Sequence, residues 1–202
     1  VRDLSLEPDK LVNIALPASG TAPYPLVMMF HGYGGGKVPF ADMQRWLAKG
    51  YAVFSMTNRG FHESCGPELA KAADPDCATS GFVRLDDTRY EVRDAQLFAG
   101  RLVDEGLAQP AKIAATGGSY GGGLSMALAA LKNRTMMPDG SLVPWTSPGG
   151  TPISLAVAVP SIPWTDLAYA LAPNGSNYDY IKDAAYVGRF GVMKQSFVDG
   201  LY

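Results

Sequence analysis

The sequence predicts an α/β fold in which a mostly parallel sheet carries helices on both faces. The first observation is that strand-like apolar runs alternate with helix-like patterns along the 202 residues. Such alternation is typical of parallel sheets. The second is an apolar run that ends in glycines around Ser119 and is followed by a helical pattern. This arrangement predicts a sharp strand-to-helix turn.

The first half of the chain supplies three predicted strands and one helix. We expect strands over 11–16, 26–30 and 51–56, and the last two are continuous apolar runs typical of buried strands. Between them, apolar residues recur at helical spacing, and Gly50 marks the end of that helix. These helical apolar residues are Phe40, Met43, Trp46 and Leu47.

The second half continues the alternation after a long loop over about residues 57–85. Thr88 and Glu91 form a capping-box pattern, which predicts the start of a helix there. Its inner face would carry Ala95, Phe98, Ala99 and Leu102. The further expected elements are a strand from Ile113, a helix to about Lys132, a polar connection over 133–151 with a turn at Asp139-Gly140, a strand over 153–159 and a helix over 164–171.

Composition narrows the class of protein. The net charge of −2 gives no indication of nucleic acid or an anionic membrane as a partner, and no apolar run reaches transmembrane length. We expect no cofactor and no metal site, because two cysteines without a nearby histidine pair do not complete a tetrahedral set.

The two cysteines, Cys65 and Cys77, lie in one Pro-, Gly- and Asp-rich stretch. We expect a disulfide between them, and with it an oxidising compartment, so a secreted or cell-surface protein. The alternative is two unrelated thiols in a cytoplasmic enzyme.

Ser119 is the candidate nucleophile. It stands in a Gly-x-Ser-x-Gly pattern between the Ile113 strand and the next helix, as in a nucleophile elbow. So sharp a turn needs neighbours with almost no side chain, and Gly117, Gly118 and Gly121 would supply that room. The N–H of Tyr120 opens the helix and would face a developing oxyanion. The alternative is a glycine-rich turn with a bystander serine.

A second glycine-rich loop follows the 26–30 strand and reads His31-Gly32-Tyr33-Gly34-Gly35. In folds with a nucleophile elbow, a glycine-rich loop after an earlier strand supplies the second oxyanion donor, and this loop fits that position. We expect Tyr33 to supply that donor, through its main-chain N–H or its phenol. The alternative is an ordinary glycine-rich turn.

The chain resembles the serine hydrolases grouped with Xaa-Pro dipeptidyl-peptidases and cocaine esterase, and is similar to their actinobacterial members. The Gly-Gly-Ser-Tyr-Gly-Gly block is the most specific part of the likeness. The matching segments are 30–35, 58–61 with Ser64 and Gly66, 87–91 with 93–95, 116–122 and 158–167. The resemblance implies an α/β-hydrolase fold, a Ser119 acyl-enzyme, and as substrates either peptides with proline at the second position or small esters.

A serine nucleophile needs a histidine base and an acid that orients it, and in this fold both follow the serine. After Ser119 the sequence has no histidine, since His31 and His62 both precede it. We therefore expect the chain to be truncated before the last strands. Residues 1–172 would then be the amino-terminal part of the catalytic domain, and 173–202 the start of a helical cap. The remainder of the hydrolase chain would be the partner that carries acid and base.

Other assignments stay open at this stage. His62 could act as base in a rearranged triad, although the chain order is wrong, and we expect His31 to pack at the strand end. Asp166 is either an acid facing the site or, as we prefer, a residue at a helix start. Arg59 and Ser64 either line the binding pocket or only hold their loop. The alternative function is a non-catalytic binding module that lacks the base.

Overall fold

The computed structural model describes residues 11–66, 72 and 74–172. The strands are β1 (Val12–Ala15), β2 (Tyr24–Phe30), β3 (Ala52–Met56), β4 (Ala108–Gly118), β5 (Arg134–Met136), β6 (Leu142–Pro144) and β7 (Leu155–Ser161). The helices are α1 (Phe40–Leu47), α2 (Pro75–Ser80), α3 (Glu91–Asp104), α4 (Tyr120–Leu131) and α5 (Leu167–Leu171). None of the helices in these ranges is long and apolar enough to span a bilayer.

The main sheet has five strands in the order β1-β3-β2-β4-β7. β1 runs antiparallel to β3, whereas the pairs β2–β3, β2–β4 and β4–β7 are all parallel. The carboxyl ends of β2, β4 and β7 therefore meet at one edge. There Phe30 pairs with Gly117, and Gly118 pairs with Ser161.

Helices cover both faces of this sheet. The alternation along β2 sends Leu26, Met28 and Phe30 into a core shared with α3 and α4. Val27 and Met29 point to the opposite face, where they join Met43 of α1. The mostly parallel sheet with helices on both faces is thus confirmed.

Two local predictions were wrong. The capping box fails because helix α3 begins at Glu91 itself, and the Thr88 hydroxyl lies against the Met136 sulfur. The connection over 133–151 is also more than a turn-rich loop, since β5 and β6 pair antiparallel across the predicted Asp139-Gly140 turn.

The chain divides into two compact units, Val1–Pro163 and Trp164–Tyr202. In the second unit the structure describes helix α5, and the Asp166 carbonyl accepts the N–H of Ala170. Asp166 is therefore a residue at a helix start, as preferred above. The predicted cap over 173–202 lies outside the described residues, and the boundary at 172 stays a prediction.

Candidate active site

Ser119 lies at the turn between β4 and α4 and is exposed to solvent. Its backbone has φ 54° and ψ −115°. A positive φ is unfavourable for a residue with a side chain, and such strain concentrates at functional sites. The turn thus presents a hydroxyl at the carboxyl edge of the sheet, as the nucleophile-elbow pattern predicts.

Glycines permit the turn because backbone atoms occupy the space of a side chain. A Cβ on Gly117 would lie 2.6 Å from the Gly121 carbonyl oxygen, and one on Gly121 would lie 2.7 Å from the Phe30 carbonyl carbon. A Cβ on Gly122 would strike the Ser161 carbonyl oxygen. The prediction for Gly118 was wrong, since a Cβ there meets nothing within 4 Å.

Backbone hydrogen bonds fix Ser119 from both sides. Its N–H donates to the Ser161 carbonyl at 3.0 Å, and its carbonyl accepts the N–H of Gly123 at 2.9 Å. The first bond ties the elbow to the end of β7, and the second belongs to the first turn of α4. The backbone of Ser119, from which the hydroxyl projects, is therefore held by main-chain groups.

Tyr120 begins helix α4, so its amide lies at the positive end of the helix dipole. Its side chain is buried, and its phenol donates to Glu91 Oε1 at 3.0 Å and accepts the Asp86 N–H at 3.2 Å. Burial and the two neighbouring carboxyl groups raise the pKa of this phenol. The ring is thus a neutral anchor beneath the elbow, a role that the sequence pattern did not reveal.

The loop after β2 lies directly against the elbow. A Cβ on Gly32 would lie 3.9 Å from the Gly118 carbonyl oxygen, and the Gly35 N–H donates to the Gly32 carbonyl at 3.0 Å to close a turn. The Tyr33 ring lies 5.7 Å from that of Tyr120 and is 60% exposed. The structure brings Tyr33 and Tyr120 together, and Tyr33 as oxyanion donor stays a prediction.

Both histidines have partners in this region. His31 is buried, and its Nδ1–H donates to the Gly32 carbonyl while its Nε2 accepts the Asn58 N–H. Burial lowers the pKa of His31, so it is a neutral residue that packs at the strand end, as expected. His62 Nε2 lies 2.8 Å from the Gly34 carbonyl, so a backbone group engages that nitrogen.

Arg59 and Ser64 line one cleft of about 270 Å³, whose walls include no residue of the elbow. The Arg59 guanidinium forms two bonds to the Asp94 carboxylate, at 2.7 and 2.6 Å. The Ser64 hydroxyl donates to the Thr57 carbonyl at 2.8 Å. Both side chains hold their loop in place, and their contact with a substrate remains a prediction.

The disulfide between Cys65 and Cys77 is present and closes the same loop, so that prediction is confirmed. Next to it, helix α2 begins at Pro75, with the Asp74 carboxylate accepting the Asp76 N–H. The bridge therefore joins the start of the loop to a short helix.

A larger cleft of about 670 Å³ lies beside the elbow. Thr116, Gly117, Gly118 and Ser161 line one side of it, and residues of α1, including Asp42 and Arg45, line the other. Only the sheet order places these segments together, so no local sequence signal predicted the cleft.

Two buried carboxyl groups beneath the elbow were also missed. Glu91 accepts the N–H groups of Arg84 and Asp87 at 2.6 and 2.8 Å in addition to the Tyr120 phenol. Asp86 is buried, and neither of its carboxyl oxygens has a hydrogen bond of good geometry among the residues described, although the Leu124 amide lies nearby. Burial, reinforced by Glu91, raises the pKa of Asp86 to about 8.

Comparisons with known proteins place this geometry in a family. The model of the acetyl xylan esterase (AXE1) family matches residues 10–147. Among solved structures, the acetyl xylan esterase from Paenibacillus sp. R4 is 21% identical over 57% of this chain and 39% of its own, with a TM-score of 0.38. A puromycin-hydrolyzing peptidase from Mycobacterium tuberculosis is 26% identical over 59% and 18% of the two chains, with a TM-score of 0.44.

Oligopeptidase B from Trypanosoma brucei is 21% identical over 78% of this chain and 19% of its own, with a TM-score of 0.48. The chain thus spans well under half the length of these proteins. The resemblance to the Xaa-Pro dipeptidyl-peptidase and cocaine esterase group is not confirmed at that level of detail and stays a prediction. The chain has the α/β-hydrolase fold and belongs to the acetyl xylan esterase (AXE1) family.

Proposed function

We propose that this chain carries the nucleophile of a serine hydrolase that cleaves small acyl esters. The observation that carries the proposal is the exposed Ser119, held at φ 54° directly before the first amide of helix α4. Both the strained turn and the helix terminus suit a hydroxyl that becomes an acyl carrier beside a negative oxygen.

In the proposed reaction, Ser119 Oγ attacks the ester carbonyl carbon while its proton passes to a base. The carbonyl oxygen becomes an oxyanion that is stabilised by the Tyr120 N–H and by Tyr33. The bond to the alcohol then breaks, and the alcohol leaves with the proton. Water next attacks the acyl carbon, which releases the acid and restores the Ser119 hydroxyl.

The base in this proposal is a histidine that does not belong to the 202 residues. His31 and His62 are the only histidines of the sequence, and both contact backbone groups. We therefore assign the base, and the acid that orients it, to a further part of the hydrolase.

Family membership favours a small ester, such as an acetyl ester, as substrate. The alternative implied by the motif resemblance is a peptide with proline at the second position. Full-length protein assayed with p-nitrophenyl acetate and with an Xaa-Pro anilide distinguishes the two. We expect ester turnover that is lost in Ser119→Ala and retained in Ser141→Ala, a control in the exposed β5–β6 turn.

Turnover of the anilide alone would favour the peptidase. A folded full-length protein that hydrolyses neither substrate would contradict the enzymatic proposal and favour the non-catalytic binding module.

We also propose that the protein works in an oxidising compartment, because the Cys65–Cys77 bridge would be reduced in most cytoplasms. Mass spectrometry of protein isolated from its source and alkylated without reductant tests this. Two alkylated cysteines would contradict it.

A further inference from the structure

Ile162, the residue after β7, combines two unfavourable features. Its φ is 45°, in the left-handed region that a β-branched side chain rarely adopts. Its side chain is also 78% exposed, the highest value among the large apolar side chains in the described ranges. A strained backbone of this kind is concentrated at functional positions.

The sheet register places Ile162 next to the nucleophile. Gly118 pairs with Ser161, and the Ser119 N–H donates to the Ser161 carbonyl, so Ile162 follows the last rung between the two strands. Neighbouring strands lie about 4.8 Å apart, which is within reach of one side chain. Ile162 therefore stands at the same sheet edge as Ser119, one strand away.

The end of β7 is rigid at this point. The Ser161 carbonyl accepts the Ser119 amide and lies so close to helix α4 that only glycine fits at position 122. Ser161 also lines the cleft of about 670 Å³ with Gly117 and Gly118. The chain cannot relax the strain at Ile162 by moving Ser161 without disturbing the nucleophile.

Given the proposed esterase function, on which this step rests, we infer that Ile162 determines acyl specificity. Its side chain forms an apolar wall against the acyl group esterified to Ser119. The acyl group is the part of the substrate in question, because it stays bound to Ser119 Oγ through both steps, whereas the alcohol departs after the first. The preferred acyl group is therefore short and apolar, such as acetyl to butyryl.

The test measures kcat/KM of the full-length protein for p-nitrophenyl acetate, butyrate and hexanoate. A buried methylene changes a binding constant about fourfold. We therefore expect Ile162→Ala to raise the butyrate-to-acetate ratio of kcat/KM by about fourfold or more, because the wall is shortened. We expect Ile162→Phe to lower kcat/KM most strongly for hexanoate. Val157→Ala is the matched control, because Val157 is also an exposed apolar residue of β7 but pairs with Ala114, far from the edge.

A series of acetate esters with different alcohols completes the experiment. We expect the ratios of kcat/KM among these alcohols to be the same in wild type and Ile162→Ala. An unchanged acyl ratio in both Ile162 variants, or an equal change in Val157→Ala, would overturn the inference and leave the esterase function standing. A response confined to the alcohol series would overturn it too. Absence of turnover in the wild type would instead overturn the proposed function, and this inference with it.

Discussion

The elbow over residues 117–122 and the loop over 57–90 meet where the Tyr120 phenol of the elbow bonds Asp86 and Glu91. The two segments are nevertheless held by different kinds of contact. The elbow is fixed by main-chain contacts, such as the Ser119 N–H to the Ser161 carbonyl. The described part of the loop is held by side chains as well as by backbone hydrogen bonds, namely by the Cys65–Cys77 bridge, the Arg59–Asp94 pair and the hydrogen bonds of Glu91. We therefore expect added volume to be the main sensitivity of the elbow, whereas the loop depends in addition on reductant, pH and side-chain hydrogen bonds.

Adding one methyl group inside the elbow should have the largest effect on stability. In Gly121→Ala the new Cβ would lie 2.7 Å from the Phe30 carbonyl carbon and 2.9 Å from the His31 carbonyl oxygen. Neither backbone atom can move freely, so we expect a loss of about 3 kcal/mol or more in the free energy of unfolding. Urea denaturation measures it. Gly118→Ala, where the space is open, is the matched control, and an equal loss in both variants would contradict the steric account.

Breaking the disulfide should rank next. The bridge closes a loop with a sequence separation of 12, and the chain-entropy model gives about 3 kcal/mol for a loop of this size. We expect the double variant Cys65→Ser/Cys77→Ser to lose that amount, and reductant to lower the stability of the wild type but not of the variant. A wild type indifferent to reductant would show that the bridge contributes nothing.

Removing the Tyr120 phenol should have a smaller effect. Tyr120→Phe loses the bond to Glu91 and leaves the buried Asp86 N–H without that acceptor. A buried polar group left unpaired costs about 1–3 kcal/mol, so we expect Tyr120→Phe to lose about that amount in the free energy of unfolding. Tyr24→Phe removes an exposed phenol that donates to the Gly20 carbonyl, and we expect a change below about 0.5 kcal/mol there. Equal thermal shifts in the two variants would contradict the anchoring role of Tyr120.

The last prediction concerns Asp86 and the way in which the free energy of unfolding changes with pH. Folding raises its pKa from 3.8 to about 8, so the folded chain keeps the proton where the unfolded chain has lost it. The resulting stability is fully present below pH 3.8 and is lost as the pH rises towards 8. We expect Asp86→Asn to match the wild type near pH 4 and then to gain stability relative to it as the pH rises towards 8. Parallel curves between pH 4 and 8 would show that Asp86 ionises normally.

The same contrast explains what the sequence could predict. The elbow is a local pattern, so Ser119 could be located from its neighbours. The same holds for the stop of helix α1, since Gly50 follows its last residue, Leu47, in the turn and has φ 82°. Glu91 shows the opposite case. Its spacing from Thr88 predicted a capping box, but its actual partners include Tyr120, 29 residues away. Asp86 and the cleft beside the elbow had no local signal, because burial and sheet order depend on the whole fold.

Gly118 marks the limit within the elbow itself. The pattern predicted that Gly117, Gly118 and Gly121 make room, yet Gly118 faces open space and the other two face backbone atoms. Which glycine is required depends on where the end of β2 and the end of β7 pass, and that depends on strand order.

Covalent labelling of the full-length protein by a fluorophosphonate tests the nucleophile most directly. We predict one phosphonyl group, mapped by peptide mass spectrometry to the segment that holds Ser119 and absent from Ser119→Ala. A folded wild type that stays unlabelled, or a label at another serine, would contradict the assignment of Ser119 as the acyl carrier.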